Sequence, residues 1–501
     1  MKTVLLIRPR PHQETIGLQH VMVVEPLELE YLLGNVPDDL QNAFSLHIID
    51  FIIDKRSFAQ VLKTYCPSIV AFTGYNTHVN VIRAIAEEAK AFDPGIITAA
   101  GGVHAEVNRE DFQSQVMDLI IWKQGIRGFQ ALLRRVAEEA QADTADDNGR
   151  AETAGEPPAA EKEADSQVTE LESCSGTAGI RPENTMIHWM PLLQKEIDNW
   201  ERTAAFSYKP PKRIGTETYR SQYYYMFHSP CALIKTSFGC PFQCSFCYCK
   251  VITGGKYNTR PMDEVIDELK SIKEEEIYIV DDDFLYSKDR IEDFLEALES
   301  EKIKKRYLVY GRSDFVARHP ELMQRLKYAG LQAVIIGLES TREADLIRYN
   351  KRTSIEMNQK AIRILQGLDI EIYATLILPM DFTKMDFKTL RLWLKQMDLT
   401  FVNLQPLTPL KGTEIYEDYV KDFIVEPKHH EKWDMAHVVL KPDTMSVRRF
   451  YFEIIKLYYA IVMRPKNILR LLGKYGIKEN MKMLRGSQKV SFQYMKKLLK
   501  G

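Results

Sequence analysis

The sequence predicts two parallel α/β units in series, a doubly wound sheet and then a partial (β/α)6 barrel, closed by a helical, basic C-terminal extension. Three observations carry this. Short apolar β-type runs alternate with helical patterns twice, over residues 1–140 and again from about 230 to 410. An acidic stretch almost free of large aliphatics separates the two. The 501 residues, 45% of them hydrophobic, leave room for about three domains with real cores. The expected boundaries are 1–140 for the doubly wound domain, 141–185 for a disordered linker, 186–229 for a connector, 230–415 for the barrel and 416–501 for the extension.

In the first unit, VLLI (4–7), LHIIDFII (46–53), SIVAFTGY (68–75), GIITAAGG (95–102) and MDLIIW (117–122) are the strands, with helical patterns between them. An open parallel sheet of this kind binds ligands beyond the carboxyl ends of its strands. Those ends carry Gly74-Tyr75-Asn76-Thr77 and Gly101-Gly102-Val103-His104. A bare Gly-Gly reads equally well as a tight turn requiring positive φ. Residues 141–180 hold 10 acidic and 2 basic residues, a segment too polar to offset its ordering entropy.

In the second unit, ALIKTS (232–237), EIYIVDDD (276–283), YLVYGRSD (307–314), AVIIGLES (333–340), IEIYATLILP (370–379) and FVNLQPLTP (401–409) give six strands in succession. Six βα units suit a partial TIM-type barrel, whose reactive groups sit at the strand carboxyl ends. The polar residues there are the cysteines, Asp281-Asp282-Asp283, Arg312, Glu339 and Gln405.

The run Cys240-Pro-Phe-Gln-Cys244-Ser-Phe-Cys247 is the strongest signal in the chain. Three thiolates in one short loop can reach three irons of a cubane, leaving the fourth iron open for chemistry. Zinc is the alternative, but zinc modules pair a CxxC with a second, distant ligand pair, and no second CxxC occurs. The apolar run before Arg8 is too short for a secretory h-region, and no stretch approaches the ~18 apolar residues a membrane span needs. A reducing cytoplasm is the expected location, peripheral at the inner face of the membrane if the basic tail docks there.

A CxxxCxxC after the first barrel strand, with Phe246 before its last cysteine, resembles the radical S-adenosylmethionine (SAM) superfamily. The resemblance implies a [4Fe–4S] cluster on Cys240, Cys244 and Cys247, the catalytic and metal-binding set, with SAM on the open iron. It implies that Phe246, Asp281, Asp282, Arg312, Glu339 and Gln405 contact SAM. It further implies an external electron donor of flavodoxin or ferredoxin type. The N-terminal unit, with GGVHA at its fourth strand, resembles the Rossmann-like cobalamin-binding domain fused to many of these enzymes. On that resemblance Gly74, Tyr75, Asn76, Thr77, Gly101, Gly102 and His104 are the cobalamin-side candidates; a vestigial interface module is the alternative. The chain departs from the pattern in lacking Asp-x-His-x-x-Gly and in placing Lys411 where proline is usual.

Residues 441–501 hold 15 basic and 3 acidic residues interleaved with aromatics. They read as a helical cap on the barrel, or as a surface for anionic lipid. Nucleic acid ranks last, since no RNA-binding β-module follows the barrel, and no nucleic-acid partner is expected. The expected function is a cobalamin-dependent C-methyltransferase acting on an unactivated carbon of a lipid, terpenoid-like or other small molecule. The alternative is a radical SAM oxidoreductase or cyclase without methyl transfer.

Overall fold

A computed structural model describes residues 1–17, 20–151, 189–201 and 208–500. In the first domain, β1 (Lys2–Arg8), β2 (Phe44–Asp50), β3 (Ile69–Thr73), β4 (Ile97–Gly101) and β5 (Leu119–Ile120) form one parallel sheet. Its order is β2-β1-β3-β4-β5. The order reverses between β1 and β3, which makes the β3 end, at Gly74-Tyr75, the topological switch point. β1 is apolar over Val4–Ile7 because both faces of that stretch are covered. Val4 and Leu6 enter one core layer, Leu5 and Ile7 the other.

The helix Gly125–Ala151 follows β5 and continues through residues 141–151, at the start of the acidic stretch. The linker expected beyond it, 152–185, lies outside the described residues. In the connector, the helix Met190–Asn199 packs Leu193 and Ile197 into the first domain's core, and Gln194 bonds both N–H and C=O of Ile120.

The second domain has six parallel strands paired in sequence order: β6 (Cys231–Ile234), β7 (Glu276–Ile279), β8 (Arg306–Gly311), β9 (Leu331–Glu339), β10 (Glu371–Leu378) and β11 (Phe401–Pro406). β6 and β11 are its two open edges. The alternation of side chains sorts Ile234, Ile279, Val309, Ile336 and Leu376 outward under the helices. It sends Leu233, Tyr278, Leu308, Ile335 and Tyr373 into the lumen, where Leu27 and Tyr31 of the first domain join them. The first domain thus plugs the second.

Buried charges fasten this plug. Glu25 meets Arg220 at 2.7 Å, Arg213 meets Glu268 at 2.7 Å and Arg220 meets Glu274 at 2.6 Å. Glu30 hydrogen-bonds the Thr216 hydroxyl. Burial, with Glu25 alongside, pushes the Glu30 carboxyl up to about 8.

The C-terminal extension, expected to be helical over 416–501, is irregular over most of 423–446 and helical from Val447, where it caps the barrel. The helix Val447–Val462 buries Phe450, Ile454, Leu457 and Ile461. Pro465–Lys500 turns at Gly476, φ 69°, and returns to the first domain, where Gln493 donates to the Thr15 carbonyl at 2.9 Å. Among the described residues no helix is long and apolar enough to cross a membrane.

Candidate active site

The cysteine loop leaves β6 through Gly239, whose φ is +83° and whose Cβ, if present, would lie 1.9 Å from the Lys256 carbonyl. Only glycine permits that approach. The loop ends at Cys247, whose Sγ accepts from Cys249 N at 3.4 Å and caps the helix Tyr248–Thr253. Cys249 hydrogen-bonds Cys240 and, against the cost of burial, draws its thiol down to about 7. Burial instead pushes Cys247 up to about 12 and raises Cys244. A thiolate set this enclosed needs cations around it. Arg312 places Nη1 4.0 Å from Cys244 Sγ, and its guanidinium lies 3.6 Å from the Phe242 ring centre. Lys351, fully enclosed, also bears on Cys244.

The three aspartates after β7 divide the work unequally. Asp281 accepts from Thr236 N at 2.6 Å, Ser237 N at 3.0 Å and both their hydroxyls, at 2.5 and 2.7 Å, pinning the end of β6. Asp282 accepts from Gly239 N at 2.9 Å and Lys235 Nζ at 3.3 Å, holding the loop entrance. Asp283 is 2% exposed, and neither carboxylate oxygen has a partner. Burial first, then Cys240, raises its pKa well above the usual carboxylate range, while Arg312 and Lys351 oppose the rise. The two aspartates predicted as SAM contacts are engaged in building the loop. The third, which sequence reasoning did not single out, is the bare one.

Arg312 is fixed by Asp314 at 2.9 Å and by the Lys351 carbonyl at 2.5 Å. Glu339 meets Lys351 Nζ at 2.7 Å, both buried. It takes φ 60° beside a register irregularity in β9, and such a break re-aims a side chain at a sheet end. Phe246 packs edge-on against Tyr349, 5.6 Å between ring centres, at the margin of the barrel core. Gln405 lies half-buried on the lumen side of β11, opposite to core-facing Leu404.

The first domain's candidates part into two groups. Gly74 crowds His78 so closely that a Cβ would lie 2.8 Å from the His78 Cβ. Gly102, φ +93°, packs on Thr73 and Gly74, and Gly101 closes β4 beside Ile121. The Tyr75 N–H donates to His78 Nδ1 at 3.2 Å. Tyr75 keeps 62% of its surface accessible and interacts electrostatically with Tyr310 and Tyr278 of the barrel. Tyr310, at the end of β8, keeps 39%. The carboxyl edges of the two sheets therefore face each other across a gap lined by these tyrosines. Asn108, past β4, closes one side through hydrogen bonds to the Lys411 carbonyl at 2.9 Å and Tyr248 Oη at 3.5 Å.

Asn76 and His104 turn away from that gap. Asn76 bonds His430 Nδ1 at 2.9 Å and the Trp433 carbonyl at 3.2 Å. His104 bonds Asp111 at 2.9 Å. Thr77 stays beside His78, its hydroxyl 3.5 Å from Nδ1. Burial lowers His430 to about 4, whereas Asp111, despite its burial, is held at about 2 by His104 and Lys411.

The sequence matches the family described as the Radical SAM superfamily over residues 234–394 and the B12 binding domain over residues 21–133. It is 24% identical to the hopanoid C-3 methylase of Methylococcus capsulatus, over 92% of this chain and 82% of that protein. It is 23% identical to the anaerobic magnesium-protoporphyrin IX monomethyl ester cyclase of Rubrivivax gelatinosus, over 82% and 71%. The fold is shared with the radical SAM methyltransferase TsrM of Kitasatospora setae, solved with cobalamin and a [4Fe–4S] cluster, at a TM-score of 0.62 and 14% identity over 99% of this chain and 100% of that one.

Proposed function

We propose that this chain, a radical SAM enzyme that also carries a B12-binding domain, is a cobalamin-dependent C-methyltransferase acting on an unactivated carbon of a lipid-like or other small molecule. The observation that carries the reading is that the carboxyl ends of the two sheets come together, Asn108 past β4 bonding Tyr248 beside the cysteine loop and the Lys411 carbonyl past β11, so that cofactors held by different domains would share one gap. The similarity to a hopanoid methylase along most of both chains supports it.

The residues present fit these groups. Cys240, Cys244 and Cys247 are free thiols in one loop, suited to three irons of a cluster. The bare, buried carboxylate of Asp283 suits the ammonium of SAM, because an unpaired buried acid is costly until a cation meets it. Arg312 and Lys351 offer positive charge to the SAM carboxylate and the thiolates. Gly74 and Gly102 let the loops after β3 and β4 pack tightly on His78 and Thr73 at the switch point, where a corrinoid would sit. When bound, the cluster with SAM supplies hydrogen abstraction, on an electron from an external donor, and the corrinoid supplies a methyl group. The protein's own part is to orient and to exclude water. Asp281 and Asp282 fix the loop, Tyr75 and Tyr310 wall the gap, and Asn108 with Lys411 seals its side.

For a lipid-like substrate, the helix Pro465–Lys500 is the surface we assign to an anionic membrane. It exposes Leu469, Ile477 and Leu484 among lysines and arginines. Lys478→Glu with Arg485→Glu should reduce flotation on vesicles containing phosphatidylglycerol; unchanged flotation removes this assignment.

The reaction is tested with protein reconstituted anaerobically with iron, sulfide and cobalamin, then given SAM, reductant and candidate substrates. S-adenosylhomocysteine together with 5′-deoxyadenosine is expected. 5′-Deoxyadenosine alone supports the second reading, a cyclase or oxidoreductase, which the similarity to the protoporphyrin ester cyclase favours.

A further inference from the structure

Away from the cysteine loop, His104, Asp111 and His430 each present a donor atom within 4.8 Å of the other two. They come from two parts of the chain that the sequence separates widely. His104 lies in the short helix Val103–Val107 after β4, and Asp111 in the turn that follows it. His430 opens a turn, His430–Lys432, in the segment between the barrel and the terminal helices. We propose that these three side chains form a zinc site that clasps the C-terminal segment to the B12-binding domain beside the interdomain gap.

The donor set is two imidazoles and one carboxylate, which suits zinc and leaves a fourth position for water. The surroundings orient each ligand. His430 Nδ1 donates to Asn76 Oδ1 at 2.9 Å, which fixes the tautomer and leaves Nε2 with a lone pair for the metal. Asp111 gives Oδ1 to Lys411 Nζ at 3.0 Å, so its carboxylate offers the site only Oδ2. His104 is 2% exposed and stands edge-on to the His430 ring at 5.8 Å between centres. His104 Nε2 and Asp111 Oδ2 lie 2.9 Å apart, so the two atoms that hydrogen-bond each other without a metal are the two that would share it. Around the cluster, Asn80 donates to Glu431 at 2.8 Å and to the Lys428 carbonyl at 3.1 Å, so the segment that carries His430 is already seated.

The test uses the full chain with its iron–sulfur cluster reconstituted, so that Cys240, Cys244 and Cys247 are not open to zinc. Zinc(II) is titrated against a chromophoric chelator, and one zinc per chain is expected. Asn76→Ala, which removes the group orienting His430 together with a hydrogen bond to the Trp433 carbonyl, should weaken zinc about 10–100-fold. His430→Ala should weaken it further, with retained cluster absorbance reporting that the fold survives. Cobalt(II) in place of zinc should give visible bands of a four-coordinate nitrogen and oxygen site, without thiolate charge transfer. No uptake of zinc, an affinity unchanged by both variants, or a thiolate band overturns the proposal. Zinc uptake is read without methyl transfer, so the two readings stand or fall separately.

Discussion

The barrel mouth and the domain junction are both polar, buried and built around charge, yet they are assembled in opposite ways. At the mouth, three cysteines fall within eight residues, and the aspartates that fix their loop are themselves consecutive. At the junction, Glu25 reaches Arg220, Lys411 reaches Asp111, and His430 reaches Asn76 across 195, 300 and 354 residues of sequence. A local site is written as a motif. A junction is written as scattered charges, each of which contributes a part.

That contrast predicts a graded series of effects. Cys244→Ala should be the largest, abolishing cluster assembly and both nucleoside products, as read by iron content and product chromatography. Retained product would remove the cysteines from the chemistry.

Next come two aspartates two residues apart. Asp281→Asn deprives four donors of a charged acceptor and should cost about 3 kcal/mol or more, visible as a lowered thermal midpoint and a lost cluster. Asp283→Asn removes a carboxylate with nothing to meet it, so the protein without SAM should be as stable or more so. SAM binding by the same variant should weaken about tenfold or more, roughly 1.4 kcal/mol. Equal destabilisation by the two would mean that Asp283, too, serves the loop.

At the junction the effects depend on pH. Folded Glu30, held near 8, keeps a proton that the unfolded chain gives up near 4.5. Stability should therefore fall as pH rises from about 4.5 to about 8, by up to a few kcal/mol, on the order of 1.4 for each pH unit in that window. Glu30→Gln should flatten that limb in denaturant titrations across the window; an unchanged slope assigns it to other groups. Lys411→Met breaks half-exposed ion pairs to Glu110 and Asp111 and should cost less than about 1 kcal/mol.

The same contrast decides what was legible in the sequence. The eleven strands were readable because β1 is buried on both faces and the barrel strands are nearly so, leaving continuous apolar runs. The cysteine loop was readable because its spacing is local. The choice among Asp281, Asp282 and Asp283 was not, since three identical residues in a row differ only in which partners the fold brings to each. Lys411 stood out as a departure from the expected proline, but only the fold shows its partners, Glu110 and Asp111. His430 gave no signal: it sits next to His429 in a stretch without periodicity, and its partners lie over 300 residues away.

The central claim is that the two domains hold their cofactors against one shared gap. Electron paramagnetic resonance of the protein carrying both cob(II)alamin and the reduced cluster tests it most directly. The account predicts that each signal is broadened and relaxes faster than in samples carrying either cofactor alone. Two unperturbed, additive spectra would contradict it, placing the corrinoid away from the Tyr75–Tyr310 gap.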